Sequence, residues 1–159
     1  MSLLPSQNKY KLVKLKKKQE NILLRWRNEK ITRLTSLNEN IVSIAQHKNW
    51  LKKIKKNKLN QVFIFYNNNI PIGTSAAIKR KNNYFLNYSI DKNYRGKGLA
   101  IKMLNLLLKR ISKKIDSKFF YAKVLKNNKK SLYMLKKIGF YKFNTENGLI
   151  IMKYNLAKN

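Results

Sequence analysis

The residues best suited to chemistry fall in one short run. Positions 94–100 read YRGKGLA, where an extended apolar run at 84–90 gives way to a helical pattern. A helix N-terminus presents unpaired N–H groups and the positive end of the helix dipole. Glycines just before it let the backbone approach an anion closely. Arg95, Gly96, Lys97, Gly98, Leu99 and Ala100 therefore form a candidate anion cradle. The spacing is not G-x-G-x-x-G, because position 101 is Ile, and it is not the Walker A loop G-x-x-x-x-G-K-[ST].

A second candidate is His47, the single histidine. An imidazole with a pKa of about 6.5 suits taking a proton at neutral pH. A lone histidine on an amphipathic helix serves equally well as a packing residue. Other chemistries are closed by composition. There is no cysteine, hence no thiolate nucleophile, disulfide or zinc–thiolate site. One histidine cannot build a multi-histidine metal site, and no metal is expected. The carboxylates number six: Glu20, Glu29, Glu39, Asp91, Asp116 and Glu146.

The elements that position these residues must come from 159 residues, 43% of them hydrophobic, which suits one domain with one core. The single domain is read over 1–159, with 1–8 as a flexible tail. The formal charge is +31, from 37 basic and 6 acidic residues. One reading is a nucleic-acid or membrane-surface binder. The other is compositional, since lysine far outnumbers arginine and the lysines are spread along the chain. Both readings attract anionic ligands. The N-terminus has no charged n-region followed by a long apolar stretch, and no apolar run approaches the roughly 18 residues of a spanning helix. A cytoplasmic location without a membrane partner is expected.

YKLVKL at 10–15 alternates like a strand. QENILLRWRN and SIAQHKNWLKKIKK carry helical spacing, with Ile44, His47 and Leu51 on related faces and Ser43 as N-cap. QVFIFY and IPIGTSAAIKR flank an Asn-rich turn as a hairpin, and YFLNYSI is a fourth strand. A helix from about 98 to 112 places Ala100, Met103, Leu104, Leu107 and Ile111 on one stripe. KFFYAKV, a helix closed by Gly139, and FYKF with LIIMKYNL complete the order β-α-α-β-β-β-α-β-α-β-β. That order is an α/β fold with a mixed, mostly antiparallel central sheet flanked by helices.

YRGKGLA between a strand and a long apolar helix resembles the pyrophosphate loop, R/Q-x-x-G-x-G/A, of the GNAT (GCN-five-related) N-acetyltransferase superfamily. VLKNNKKSLYMLKKIGF resembles that family's second motif, with Asn128, Ser131, Gly139 and Phe140 in place. The resemblance covers essentially the whole chain and implies acetyl-CoA as donor. It implies that Arg95 to Ala100 hold the pyrophosphate and that Ser89 and Ile90 run beside the pantetheine. Asn128 and Ser131 would contact the pantetheine arm. Two departures bear on catalysis. Many members carry a tyrosine as general acid where this chain has Leu135, and Tyr133 falls on nearly the opposite side of that helix. YFLNYSI lacks the glutamate that often serves as base. Tyr88 and His47 are the catalytic candidates left.

The segment 23–54 resembles the acceptor side of one GNAT branch, whose members acetylate the 4-amino group of nucleotide-activated amino-dideoxy sugars, as in pseudaminic acid pathways. Trp26, Arg27, Asn28, Arg33, Ser36, His47, Trp50 and Leu51 carry that pattern. Arg27, Asn28, Arg33, Ser36, His47 and Trp50 are the implied substrate contacts. The expected acceptor is then a UDP-linked amino sugar. A ribosomal-protein-type N-terminal amine and, from another class, a basic nucleic-acid-binding module stay open, although no sequence-specific nucleic acid is expected. LIIMKYNL is an edge that could pair two copies into a homodimer.

Overall fold

Strand β2, Gln61–Asn67, is buried on both faces. Phe63 and Phe65 are 1% and 0% exposed, and Ile64 between them is 0% exposed. Successive strand residues point to opposite faces, so this strand is the middle of three layers. On one face Phe63 and Phe65 join the main core with Ile72, Leu86, Met103, Leu107 and Leu135. On the other, Ile64 packs with Leu23, Trp26 and Leu51.

The computed structural model describes residues 9–158, and the tail expected at 1–8 lies outside them. The elements run β1 (Tyr10–Lys14), α1 (Glu20–Asn28), α2 (Lys30–Leu34), α3 (Ile44–Lys56), β2, β3 (Ile70–Arg80), β4 (Asn83–Ile90), α4 (Leu99–Ile111), β5 (Phe119–Leu125), α5 (Lys129–Ile138), β6 (Tyr141–Glu146) and β7 (Leu149–Asn155). They form one seven-stranded sheet ordered β1-β2-β3-β4-β5-β7-β6, so the edge expected of LIIMKYNL is corrected: β7 pairs on both sides, with β5 and β6, and the edge strands are β1 and β6. Every neighbouring pair is antiparallel except β4 with β5. The expected α/β class and element order hold. The short helix α2 is an addition, too brief for helical periodicity to show in the sequence.

The helical layers follow from their stripes. Helix α4 buries Leu99, Met103, Leu104, Leu107, Leu108 and Ile111 on the main core. Helix α5 ends at Gly139, whose φ of 113 lets its N–H reach back to the Leu135 and Lys136 carbonyls. Ser43 and Gln46 form a reciprocal cap on α3. One expectation about α3 is corrected: Ile44 is 65% exposed, and His47 with Leu51 forms the buried side.

The feature that makes a site is a failure of pairing. β4 and β5 align only at Tyr84↔Phe120 and Phe85↔Tyr121. β5 continues to Leu125 against β7, while β4 continues to Ile90 against β3. From Leu86 onward the two parallel strands separate, and one edge of β4 faces a cleft.

Candidate active site

The cleft opens toward the glycine turn. Asp91 begins that turn by accepting the Asn93 N–H at 3.0 Å. Gly96 and Gly98 then adopt φ of 74 and 69, the left-handed region that side-chain-bearing residues disfavour. Gly98 is the N-cap of α4 and offers no side chain to its first turn. A Cβ added at either glycine meets no atom within 4 Å. The space beside the N–H groups is therefore open, and it fits a diphosphate. Leu99 is buried and anchors the helix start, while Lys97 is exposed with Nζ 5.6 Å from the Tyr94 ring.

The walls are β4 and α5. Asp91 gives its N–H to the Ile72 carbonyl of β3 at 2.9 Å. Alternation along the strand then turns the polar groups of Ile90 and Tyr88 the other way, to the cleft edge. Gly73 of β3 allows close approach here: a Cβ on it would lie 2.7 Å from the Ser89 carbonyl oxygen. Across the cleft, Asn128 caps α5, its Oδ1 accepting the Ser131 N–H at 3.2 Å. That leaves the Asn128 amide NH2 to serve a ligand. Tyr88 on β4 and Ser131 on α5 share a hydrogen bond between their hydroxyls. Burial raises the Tyr88 phenol and the Ser131 hydrogen bond lowers it, leaving it at about 12.

Arg95 does not aim its guanidinium at the turn. Nε donates to the Ile90 carbonyl at 2.9 Å, and Nη2 donates to Glu29 Oε2 at 2.7 Å and Thr32 Oγ1 at 2.9 Å. Any contact of residue 95 with an anion in the turn thus falls to its backbone. A second tie lies alongside: the Trp26 indole N–H donates to Asp91 Oδ2 at 2.7 Å. Arg25 also sits 3.9 Å from that oxygen. Burial acts to raise the Asp91 carboxyl, but the Asn93 and Trp26 hydrogen bonds and the arginine charges bring it below the ordinary value. Both oxygens are committed, so Asp91 is not poised as a base.

The residues expected at the acceptor side divide into two groups. Arg27, Asn28, Arg33 and Ser36 come together around the segment after α2. Arg27 donates to the Asn38 carbonyl at 2.6 Å and Arg33 to the Glu39 carbonyl at 2.9 Å. Asn28 clasps the Val42 backbone in both directions at 2.8 Å. Ser36 bonds the Thr32 carbonyl. Burial and the charge of Arg33 both lower the Arg27 pKa, and Arg27 Nη1 is buried without a hydrogen-bond partner.

His47 and Trp50 stand apart from that group, their rings stacked at 5.7 Å. His47 is 6% exposed, and its Nε2 lies 2.9 Å from the Glu20 carbonyl oxygen. A carbonyl only accepts, so Nε2 carries the proton. Glu20 opens α1, whereas the glycine turn is tied to Trp26, six residues further along. At 1.5 Å per residue that is about 9 Å along the helix axis. The engaged nitrogen braces α3 against α1, which leaves Nδ1 as the ring nitrogen with a lone pair.

Against this geometry the comparisons are informative. The family model described as acetyltransferase (GNAT) domain matches residues 11–141. The chain belongs to the GNAT acetyltransferase family. A curated relative from Bacillus subtilis subsp. natto (strain BEST195), "Probable spermine N(1)-acetyltransferase", is 36% identical over 59 residues. That match covers 37% of this chain and 38% of the relative's length. The structure of Vibrio cholerae spermidine N-acetyltransferase in complex with CoA and spermine superposes with a TM-score of 0.83 at 16% identity, covering 94% of this chain and 97% of that one. The Campylobacter jejuni N-acetyltransferase PseH gives a TM-score of 0.71 at 16% identity, covering 93% and 99%. At these identities the structural likeness is one of fold.

Within the GNAT frame the departure at the tyrosine position gains a physical form. Leu135 is 0% exposed and belongs to the main core. Tyr133 is 63% exposed, with Lys137 Nζ 5.3 Å from its ring. Neither residue faces the cleft as an acid. Glu29 and Thr32 escaped the sequence reading. Glutamate is an unusual N-cap, and its partner Arg95 lies 66 residues away.

Proposed function

We propose that this protein transfers the acetyl group of acetyl-CoA to a primary amine, most specifically the 4-amino group of a UDP-linked amino-dideoxy sugar. The open edge of β4 leading to two left-handed glycines at a helix start supports the donor half. The acceptor half rests on one observation: Arg27 Nη1 is buried without a hydrogen-bond partner, Arg33 is close enough to lower the Arg27 pKa, and among the described residues neither forms an ion pair. Two guanidinium groups held together gain most from an anion they can share, and a diphosphate suits their forked donors.

The chemistry follows from the cleft. The neutral amine attacks the thioester carbonyl carbon, forming C–N. The oxyanion meets a cleft-facing N–H of β4, at Tyr88 or Ile90. Collapse breaks C–S and releases the CoA thiolate. With the Ser131 hydroxyl donating to the Tyr88 oxygen, the phenol hydrogen is left over for the departing sulfur. A phenol held at about 12 by burial stands well above an ordinary thiol, so full proton transfer to the thiolate runs uphill. Tyr88 therefore acts as a hydrogen-bond donor and not as a source of protons. The ammonium proton leaves to water.

Charge weighs against the other acceptors. A spermine-like polycation, the acceptor in the relative's name, would meet a chain of net charge +31. Four of its six carboxylates, Glu20, Glu29, Asp91 and Glu146, are already paired with its own cations. The same repulsion applies to a basic protein N-terminus. A nucleic-acid module needs free ring faces. Here Tyr10 carries Lys102 at 4.7 Å, Tyr84 carries Lys79 at 4.5 Å, and Phe119 carries Lys153 at 3.9 Å.

The test is CoA release from acetyl-CoA with three acceptor panels: UDP-linked 4-amino sugars, basic N-terminal peptides and polyamines. Turnover confined to the sugars is expected. Turnover confined to peptides or polyamines would overturn the acceptor assignment and leave the donor assignment standing.

A further inference from the structure

We propose that Arg95 is a positioning residue that couples the two substrate sites: a donor bound at the glycine turn orders α2, and through it the acceptor side. This rests on the reading that the 95–100 turn binds CoA. The starting point is how little else holds α2. The helix has five residues, none of them buried. Ile31 is 56% exposed and Leu34 48%. A helix this short does not persist on its own.

One carboxylate caps α2, and Arg33 adds a bond from Nε to the Asn28 carbonyl at 3.3 Å. Glu29 Oε1 accepts the Ile31 N–H at 3.2 Å, and Oε2 accepts the Thr32 N–H at 3.1 Å and the Thr32 hydroxyl at 3.0 Å. Arg95 holds both Glu29 and the Thr32 hydroxyl through Nη2, while its Nε holds the Ile90 carbonyl at the cleft edge. One planar group thus joins the end of β4, the glycine turn and the cap of α2. From α2 the path continues through Arg33 to the Glu39 carbonyl, and Arg27 braces the neighbouring Asn38.

The Trp26–Asp91 bond gives this linkage a fixed frame. It pins the well-packed helix α1 to the start of the same turn, so α2 is the part left to respond. An anion on the amides after Arg95 restrains that backbone, hence the guanidinium, hence Glu29 and Thr32. Binding at one site then favours order at the other. Lysine cannot reproduce it, because one ammonium cannot reach all three acceptors in the plane of a guanidinium.

The experiment is amide hydrogen exchange on the full chain with and without saturating CoA, paired with calorimetric CoA affinity. It compares wild type, Arg95→Lys and Thr32→Val, the last being the milder change if Arg95→Lys folds poorly. In wild type, CoA should slow exchange at residues 32–36 by about tenfold. In both variants that slowing should fall below about threefold, and in Thr32→Val CoA affinity should stay within about threefold. A merely structural role would change exchange equally with and without CoA. Undiminished slowing in both variants overturns the proposal, as does CoA binding to wild type without any slowing. If wild type does not bind CoA at all, the donor-turn reading fails first and takes this inference with it.

Discussion

The hydroxyls of Tyr88 on β4 and Ser131 on α5 meet across the open edge of the sheet. That contact puts a polar hydrogen at the cleft, whereas the α5 position usual for a GNAT acid is Leu135, buried in the core. Tyr88→Phe removes one hydrogen bond to a developing thiolate, a charged acceptor worth about 1.5–3 kcal/mol, so kcat should fall about 10- to 100-fold. Because the phenol is held at about 12, wild-type kcat should show no basic limb from Tyr88 below about pH 10. An unchanged kcat in Tyr88→Phe would remove Tyr88 from the mechanism.

Gly98 combines a left-handed φ of 69 with open space where its Cβ would be. Gly98→Val strains the backbone by about 1–3 kcal/mol and fills the room a pyrophosphate needs. The fold should survive with a lower melting temperature, and calorimetry should find no CoA binding. A variant that binds CoA as tightly as wild type would move the donor elsewhere.

Gly73 makes a different demand. Its φ is not left-handed; its limit is the Ser89 carbonyl oxygen, 2.7 Å from where a Cβ would sit. Gly73→Ala must push β4 away from β3 at the cleft edge, costing about 1–3 kcal/mol. KM for acetyl-CoA should rise along with that loss of stability. A variant that melts like wild type and keeps its KM would show that β4 yields without consequence.

What the sequence made legible is what is local. Strand alternation, the apolar stripe of α4, the Ser43 cap and the glycine turn are each read within a few residues, and each appears in the fold. The partners of the site residues were not legible, because they are set by tertiary contacts. Arg95 looked like a phosphate ligand, yet its guanidinium is drawn to Glu29 and Thr32. Asp91 is one of six carboxylates in the sequence, and nothing near it in the chain marks it as the acceptor of the Trp26 indole. Arg27 and Arg33 were expected to contact substrate, and each spends a donor on the 38–39 backbone. The splay of β4 from β5 has no local signal at all, since it is a pairing that stops.

His47 shows the same limit from the other side. A lone histidine invited an acid–base role, whereas its Nε2 engages the Glu20 carbonyl in a buried setting. His47→Ala strips a partner from that carbonyl and should destabilise the fold by about 1–3 kcal/mol. The kcat should stay within about threefold, far short of the 10²- to 10⁴-fold cost of losing a general base. The measurement is kcat against pH for both proteins. An acid limb that vanishes in the variant would restore His47 as the base.

The ion pair between Glu29 and Arg95, at 2.7 Å, makes stability depend on acid. Burial acts to raise the Glu29 carboxyl, but the hydrogen bonds from Arg95, Thr32 and Ile31 prevail and bring it from 4.5 to about 2. A depressed folded pKa means the unfolded chain binds more protons, so stability from this group rises with pH. Its contribution is complete above the unfolded value of 4.5 and is lost as pH falls toward about 2. Asp91 is lowered too and adds an acid limb of the same sign. Glu29→Gln should therefore be less stable than wild type at pH 7 by about 1–3 kcal/mol. The two proteins should then converge as pH drops, because protonation makes the wild-type side chain neutral as well. Urea unfolding at pH 7, 4 and 3 measures the gap. A gap that does not narrow would show that the carboxylate charge is not what holds Glu29 to Arg95.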